Sequence, residues 1–176
     1  MFKNIKNNNK GFTLIELLAV VVIMGILMIV AIPAVTKYIE RSRKDAYVDT
    51  AKAYINSARY SILNDEYNCS LPTAAGSSVI IPIQYVDGSE TKDNVDIDQG
   101  GGKSPYNKNL ELTKSYIQVT AKSGSGSDGT VKYEYSIAIT DSAKNGIPLT
   151  SEKELHRSKV DKNVNPTVPT ENLCKK

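Results

Sequence analysis

From Leu17 to Thr36 the chain runs for 20 residues without a charged side chain, and no other feature restricts its folding as much. As an α-helix the run extends about 30 Å, the thickness of a bilayer's hydrocarbon core. A helix of this length that is apolar on every face is a poor fit to the interior of a small soluble domain. Immediately before the run stands one carboxylate, Glu16, and the next charge is Lys37 at its far end. A charge at the centre of a membrane helix costs about 2.5 to 3.5 kcal/mol, and less near an interface. Glu16 is therefore an interfacial charge or a charge with a partner.

A secretory signal would place a shorter apolar segment before a small-residue cleavage site. Here the apolar run is too long, and the charged stretch "TKYIERSRKDAY" follows it directly. The formal net charge of +3 arises in the first ten residues, where Lys3, Lys6 and Lys10 have no acidic counterpart. Removing those three from 22 basic side chains leaves 19, against 19 acidic ones. The remainder is then neutral and lacks the electrostatic footprint of a nucleic-acid partner. The same lysines are matched by Lys37, Arg41, Arg43 and Lys44 beyond the run, so the positive-inside count leaves orientation open.

The residues "KGFTLIELLAVVVIMGILMIVAIP" resemble the N-terminal signature of type IV prepilins. In that signature a short basic leader ends in glycine, phenylalanine follows, and glutamate is the fifth residue after the cleavage point. Here these are Gly11, Phe12 and Glu16. The resemblance implies that a membrane-embedded aspartyl prepilin peptidase cuts after Gly11 and N-methylates Phe12. It also implies that Glu16 pairs with the Phe12 amine of a neighbouring subunit, as a register device and not as a catalytic acid. The physics agrees, because removing one partner of a buried ion pair costs about 3 to 5 kcal/mol. Gly25 and Pro33 stand where pilins carry helix-loosening residues, and the segment between them is expected to lose helicity in a filament. The implied organisation is a leader over residues 1–11, a hydrophobic stem over 12–35 and a head over 36–176. The leader would lie in the cytoplasm and the head outside. Implied partners are further copies of the chain in a helical filament, the assembly ATPase and its inner-membrane platform, and the membrane before assembly. The alternative with the same signature is a pseudopilin of a type II secretion or DNA-uptake machine.

Beyond Pro33 the pattern becomes amphipathic. Apolar or small residues recur at Val35, Ile39, Ser42 and Ala46, then at Ala51, Tyr54, Ile55, Ala58 and Ile62. These steps predict one helix from Thr13 to about Leu63, with one covered stripe in its second half. Past Asn64, "VKYEYSIAIT" alternates strictly, with Val131, Tyr133, Tyr135, Ile137 and Ile139 on one face. "SYIQVTAK" places Ile117, Val119 and Ala121 on one face, and the turn-rich "SGSGSDGT" between the two runs predicts an antiparallel hairpin. "SSVIIPIQYV", broken by Pro82, reads as an edge strand or part of the loop after the helix. The expected fold is α+β: a long helix with a small antiparallel sheet on its C-terminal half.

The chemistry-bearing residues are few. Cys69 and Cys174 have no metal-ligand spacing, and in an exported chain they default to one disulfide. Such a bridge would tie down the C-terminus and stabilise by about 4 to 5 kcal/mol in the chain-entropy model. It would enclose almost the whole head, a wider loop than the C-terminal one that pilins commonly bound. Asp93, Asp96 and Asp98 lie in a polar, glycine-rich loop that lacks the ligand spacing of an EF-hand. His156 is the one histidine and reads as a surface residue. Ser151 and Glu154 stand at capping-box spacing and predict a short helix or turn. There is no Ser/His/Asp set, no phosphate-binding glycine loop and no metal cluster in the sequence. The expectation is a structural subunit with no cofactor and no catalytic residue.

Overall fold

The computed structural model describes residues 11–64, 70–86, 102–122 and 131–174. In order these form helix α1 (Leu14–Leu63), strand β1 (Ser78–Pro82), the short helix α2 (Ile83–Val86), and strands β2 (Tyr116–Lys122), β3 (Lys132–Thr140) and β4 (Gly146–Ser151). Two 3-10 turns follow, Glu152–Glu154 and Arg157–Lys159. The chain divides into two compact units between Glu40 and Arg41.

In the first unit α1 is continuous through Gly25 and Pro33. Proline has no N–H to donate, so the bond that position 33 would make to the carbonyl of Ile29 is missing. One turn on, the Thr36 hydroxyl donates to the Ile32 carbonyl at 2.8 Å. Nothing lies within 4 Å of where a Cβ on Gly25 would be, so within the chain this glycine meets no steric demand.

The second unit is built on one mixed core. Its four strands form an antiparallel sheet in sequence order, β1-β2-β3-β4. Ile117, Val119, Tyr135, Ile137, Ile139 and Ile147 pack in one cluster with Tyr47, Val48, Ala51, Tyr54, Ile55 and Ala58 of α1. A fully buried side chain of this kind contributes roughly 1.5 to 3 kcal/mol, so the cluster holds the helix to the sheet. The predicted hairpin is β2 and β3, in register from Tyr116–Ala138 to Lys122–Lys132. The proline-broken run is β1, an edge strand that ends at Pro82.

The structure departs from the sequence reading in four places. First, the covered stripe of α1 begins at Tyr47, whereas Val35, Ile39, Ser42 and Ala46 are exposed. At 100° per residue those four lie roughly 120° around the helix from the Tyr47–Ala51–Tyr54–Ala58 face. The step of five between Ala46 and Ala51 is where the two stripes part. Second, there is a fourth strand: β4, "GIPLTS", carries Pro148 and does not alternate. Third, the C-terminus is tied down by more than a bridge, along the tail 164–174. It covers the second face of the sheet, where Val168 and Leu173 pack on Ile80, Tyr116 and Ala138. Leu173 pairs in parallel with Ile80, with Ile80 N–H donating to Asn172 O at 2.9 Å and Cys174 N–H to Ile80 O at 2.8 Å. The free edge of β1 is thereby occupied, which protects it from pairing with another chain. Fourth, the short helix or turn expected after Ser151 is a 3-10 turn, but the Ser151 side chain makes no capping bond.

Candidate assembly site

The stem is a surface without a partner inside its own chain. From Phe12 to Val35 every large apolar side chain is exposed, from 52% at Val20 to 92% at Phe12. A window of α1 with mean hydropathy 3.0 is 0% buried and is long enough to cross a membrane. Removing apolar area from water is worth about 25 cal/mol per Å², so this surface stays bare only where lipid or protein replaces water.

Glu16 sits at the N-terminal end of that surface and is held by its own chain. Its carboxylate Oε2 accepts from the Thr13 backbone N–H at 2.8 Å and from the Thr13 hydroxyl at 2.9 Å. In return the Glu16 N–H donates to Thr13 Oγ1 at 3.3 Å. This reciprocal pair is a capping box, with Thr13 at the N-cap and Glu16 at the third helical position. A capping box satisfies helix N–H groups that would otherwise lack acceptors, and the negative charge lies favourably at the positive end of the helix dipole. Sequence reasoning missed Thr13, although "TLIE" is the S/T-x-x-E signal ahead of an apolar run. All three bonds involve atoms C-terminal to the Gly11–Phe12 peptide bond, so cutting that peptide bond would leave them intact.

Phe12, Glu16, Leu17, Ala19, Val20 and Val21 line one shallow apolar concavity on the stem. Phe12 and Glu16 thus share a surface, whereas Gly25 and Pro33 lie further along the helix. Of the cysteines, Cys174 is fully buried and disulfide-bonded, and Cys69 lies outside the described residues. Asp93, Asp96 and Asp98 also lie outside them. His156 is exposed, its Nδ1 accepting from Ser158 N–H at 3.4 Å.

The head carries one polar centre that the sequence did not announce. Asp141, 1% exposed, directly follows β3 and receives donors from two loops. Its Oδ1 accepts from Ala143 N–H and Asn145 N–H, both at 2.9 Å. Its Oδ2 accepts from the Ser104 hydroxyl at 2.7 Å, and the Asn145 amide reaches both oxygens at 3.2 and 3.3 Å. The Tyr47 hydroxyl donates to the Asn145 carbonyl at 2.9 Å. Burial first, and the Asp141 charge second, push the Tyr47 phenol well above its ordinary range, so it remains a donor. Asp141 is a structural anchor that joins the 102–110 loop, the β3–β4 turn and α1. Two cations of the basic stretch after the stem are used in the same region. Lys44 Nζ donates to Val160 O at 2.8 Å, and the Arg43 guanidinium lies 5.7 Å from the Tyr106 ring centroid. Higher on the helix, Arg59 pairs with Glu152 at 2.7 Å and lies 4.6 Å over the Tyr135 ring.

This arrangement presents two things: a stem that must be covered from outside, and a head that completes its own core. Residues 6–32 match the family model described as the prokaryotic N-terminal methylation motif, so the stem is of the prepilin class. A fimbrial protein of Neisseria meningitidis serogroup A / serotype 4A is 34% identical over 126 residues, which is 70% of this chain and 71% of that protein. An alignment of that length runs well beyond the stem into the head, and the chain belongs to the type IV pilin family. No solved structure gives a significant match.

Proposed function

We propose that this chain is a structural subunit of a type IV pilus that polymerises through its N-terminal helix and has no catalytic activity of its own. The observation that carries the reading is the stem itself, a helix apolar and exposed on every face, beside a head with a closed core. On this reading a prepilin peptidase cuts between Gly11 and Phe12 and N-methylates Phe12. The stem is stored in the cytoplasmic membrane, extracted by the assembly ATPase and its inner-membrane platform, and packed against the stems of other copies on the cell surface.

Lipid tails are as apolar as the stems, so exchanging one for the other gives little net hydrophobic gain, and packing and polar contacts must fix the register. Glu16 serves that purpose. Its Oε2 is engaged by Thr13, and the carboxylate still carries one negative charge. The Phe12 ammonium of a neighbouring copy supplies the matching positive charge. Gly25 and Pro33 weaken the helix between them, so the filament can lengthen there under load. A Cys69–Cys174 bridge fixes the C-terminal tail on β1, a role supported by the burial of Cys174 and its backbone bond to Ile80.

Intact mass and N-terminal sequencing of protein sheared from the cell surface test the proposal. A chain that starts at N-methylated Phe12 and is lighter by two hydrogens for the bridge is expected. A chain still carrying Met1–Gly11 and found only in membranes would refute it. A processed chain that never leaves the membrane fraction would point to a pseudopilin.

A further inference from the structure

We infer that one end of the head is an electrostatic dock for an anionic lipid surface, used while the stem is still in the membrane; the inference rests on the membrane-stored stem proposed above. Three short loops meet there. The 102–110 loop is closed by the Lys103–Asn109 bridge and by Ser104 N–H donating to Lys108 O at 2.7 Å. It is joined to the β3–β4 turn by the Leu110–Asp141 bridge and by Ser142 N–H donating to Asn109 O at 2.8 Å. That turn is joined to the 160–164 segment by the reciprocal Gly146–Asp161 bonds, both 2.9 Å, and by Val164 N–H donating to Lys144 O at 2.9 Å. All three loops contact α1 at Arg43, Lys44 and Tyr47, which is the beginning of the head's part of the helix.

The loops carry Lys103, Lys108, Lys144 and Lys162, all exposed, and none of the four makes an ion pair among the described residues. Of the two acids on the same loops, Asp141 is buried with its carboxylate fully engaged, which leaves Asp161 as their exposed acid. Elsewhere on the head Lys122, Arg157 and Lys114 are paired with Glu134, Asp45 and Glu111, while Arg41 and Lys52 on α1, Lys132 on β3 and Lys153 in the first 3-10 turn are exposed without an ion pair among the described residues. What marks this end is that four exposed cations without an ion pair lie on three loops bonded to one another.

Chain length places that end close to the membrane. The charge-free run ends at Thr36, and Arg41 is five residues on, at most about 18 Å even if fully extended. The headgroup layer adds about 5 to 7 Å to the hydrocarbon core on each side, and surface charges are felt over a Debye length of about 8 to 10 Å. Four exposed, flexible ammonium groups spread over three loops suit a diffuse anionic surface better than one stereospecific phosphate. The dock would hold the precursor head against the bilayer and release it when the stem is withdrawn.

The test uses the full chain reconstituted in two kinds of vesicle, phosphatidylcholine alone and equal parts phosphatidylcholine and phosphatidylglycerol. Accessible amines are acylated and mapped by mass spectrometry, with the exposed Lys132 on β3 as the internal reference. In the anionic vesicles Lys103, Lys108, Lys144 and Lys162 should each react about fivefold more slowly than in neutral ones. High salt should restore the rate and Lys132 should not change. Lys144→Glu with Lys162→Glu should abolish the protection of Lys103 and Lys108. Equal rates in both vesicles overturn the inference, as does protection produced by added duplex DNA and not by phosphatidylglycerol. Flotation with neutral vesicles isolates the stem. A chain that floats without lysine protection refutes the dock alone, and a chain that does not float refutes the membrane-stored stem and the dock with it.

Discussion

Replacing Asp141 by alanine should loosen the head more than any other single polar change, and the structure supplies the magnitude. Four donors converge on this carboxylate: the Ser104 hydroxyl, the Ala143 and Asn145 N–H groups and the Asn145 amide. Hydrogen bonds to a charged acceptor are worth about 1.5 to 3 kcal/mol each, and a donor left buried without a partner costs about 1 to 3 kcal/mol. The four bonds share one side chain and do not add, and the alanine site has room for a water to serve one or two donors. A loss of about 3 to 5 kcal/mol is expected, a large part of the stability of an ordinary domain. Asp141→Asn keeps an acceptor for the two backbone N–H groups and turns the other arm into a donor toward Ser104, so it should lose about 1 to 2 kcal/mol. Urea unfolding of the full chain in detergent micelles would measure both, followed by tyrosine emission, which is well suited to a chain with ten tyrosines and no tryptophan. The reasoning fails if Asp141→Ala unfolds within about 1 kcal/mol of the parent, or if asparagine is no better tolerated than alanine.

Gly146→Ala should destabilise by about 1 to 3 kcal/mol or more in the same urea assay, because its Cβ would meet the Ile139 carbonyl and lie 2.9 Å from Thr140 Cα, both backbone atoms that cannot swing away. Gly25→Ala should act in the opposite direction. Open space surrounds the position, so helicity of the stem in micelles should rise with a gain of about 1 kcal/mol, while filaments of the variant should extend less under force. Thr13→Ala removes the cap, and hydrogen exchange at the Glu16 amide, which donates to Thr13 Oγ1, should speed up by about fivefold, for a cap worth about 1 kcal/mol. Thr13→Ser should leave it unchanged. A hydrogen bond from Lys122, above all, holds the Glu134 carboxyl below its usual range. A depressed folded value means that this pair stabilises above the unfolded carboxyl pKa of about 4.3 and that the contribution is lost as pH falls through the folded value. Acid titration of Glu134→Gln should show a shallower loss of stability below that pH, by a small amount, because the pair is on the surface.

Much of the fold was legible because period and length signals do not depend on tertiary context. The 20 uncharged residues and the strict alternation of β3 each specify an element by themselves. What was hidden depended on residues distant in sequence. β4 has Pro148 and no alternation, and it becomes a strand only because β3 offers Ser136, Ile137, Ile139 and Thr140 as partners. The Asp141 anchor cannot be inferred from "TDSAKNG" without knowing that Ser104 is brought beside it. The error in the helix stripe had a local cause, since apolar residues on two faces were joined across a step of five. The two capping-box patterns show the same limit from the other side. "TLIE" opens a 50-residue helix and forms its box, whereas "SEKE" follows a strand, folds as a 3-10 turn and leaves Ser151 unbonded. The spacing is necessary, and the following backbone decides whether it is used.

The capping box also changes what the stem requires of its surroundings. A bare carboxylate in a packed stem bundle would need both a countercharge and donors for its lone pairs, and a single mispositioned neighbour would leave it several kcal/mol worse off. With Thr13 supplying two donors to Oε2, the hydrogen bonding is largely met before any neighbour arrives. What remains to be supplied is one positive charge. In the proposed filament an N-terminal ammonium on a neighbouring stem would meet that need over a range of small displacements, because charge attraction falls slowly with distance whereas hydrogen-bond geometry is strict. On the proposed assembly, separating the two demands would let one glutamate remain in the membrane alone and still choose its register among many equivalent apolar stems. Glu16→Gln would keep an acceptor for the Thr13 donors and lose the charge. The expected result is a normally capped stem whose filaments are few or absent, and normal filament yield from this variant would show that the charge has no part in register.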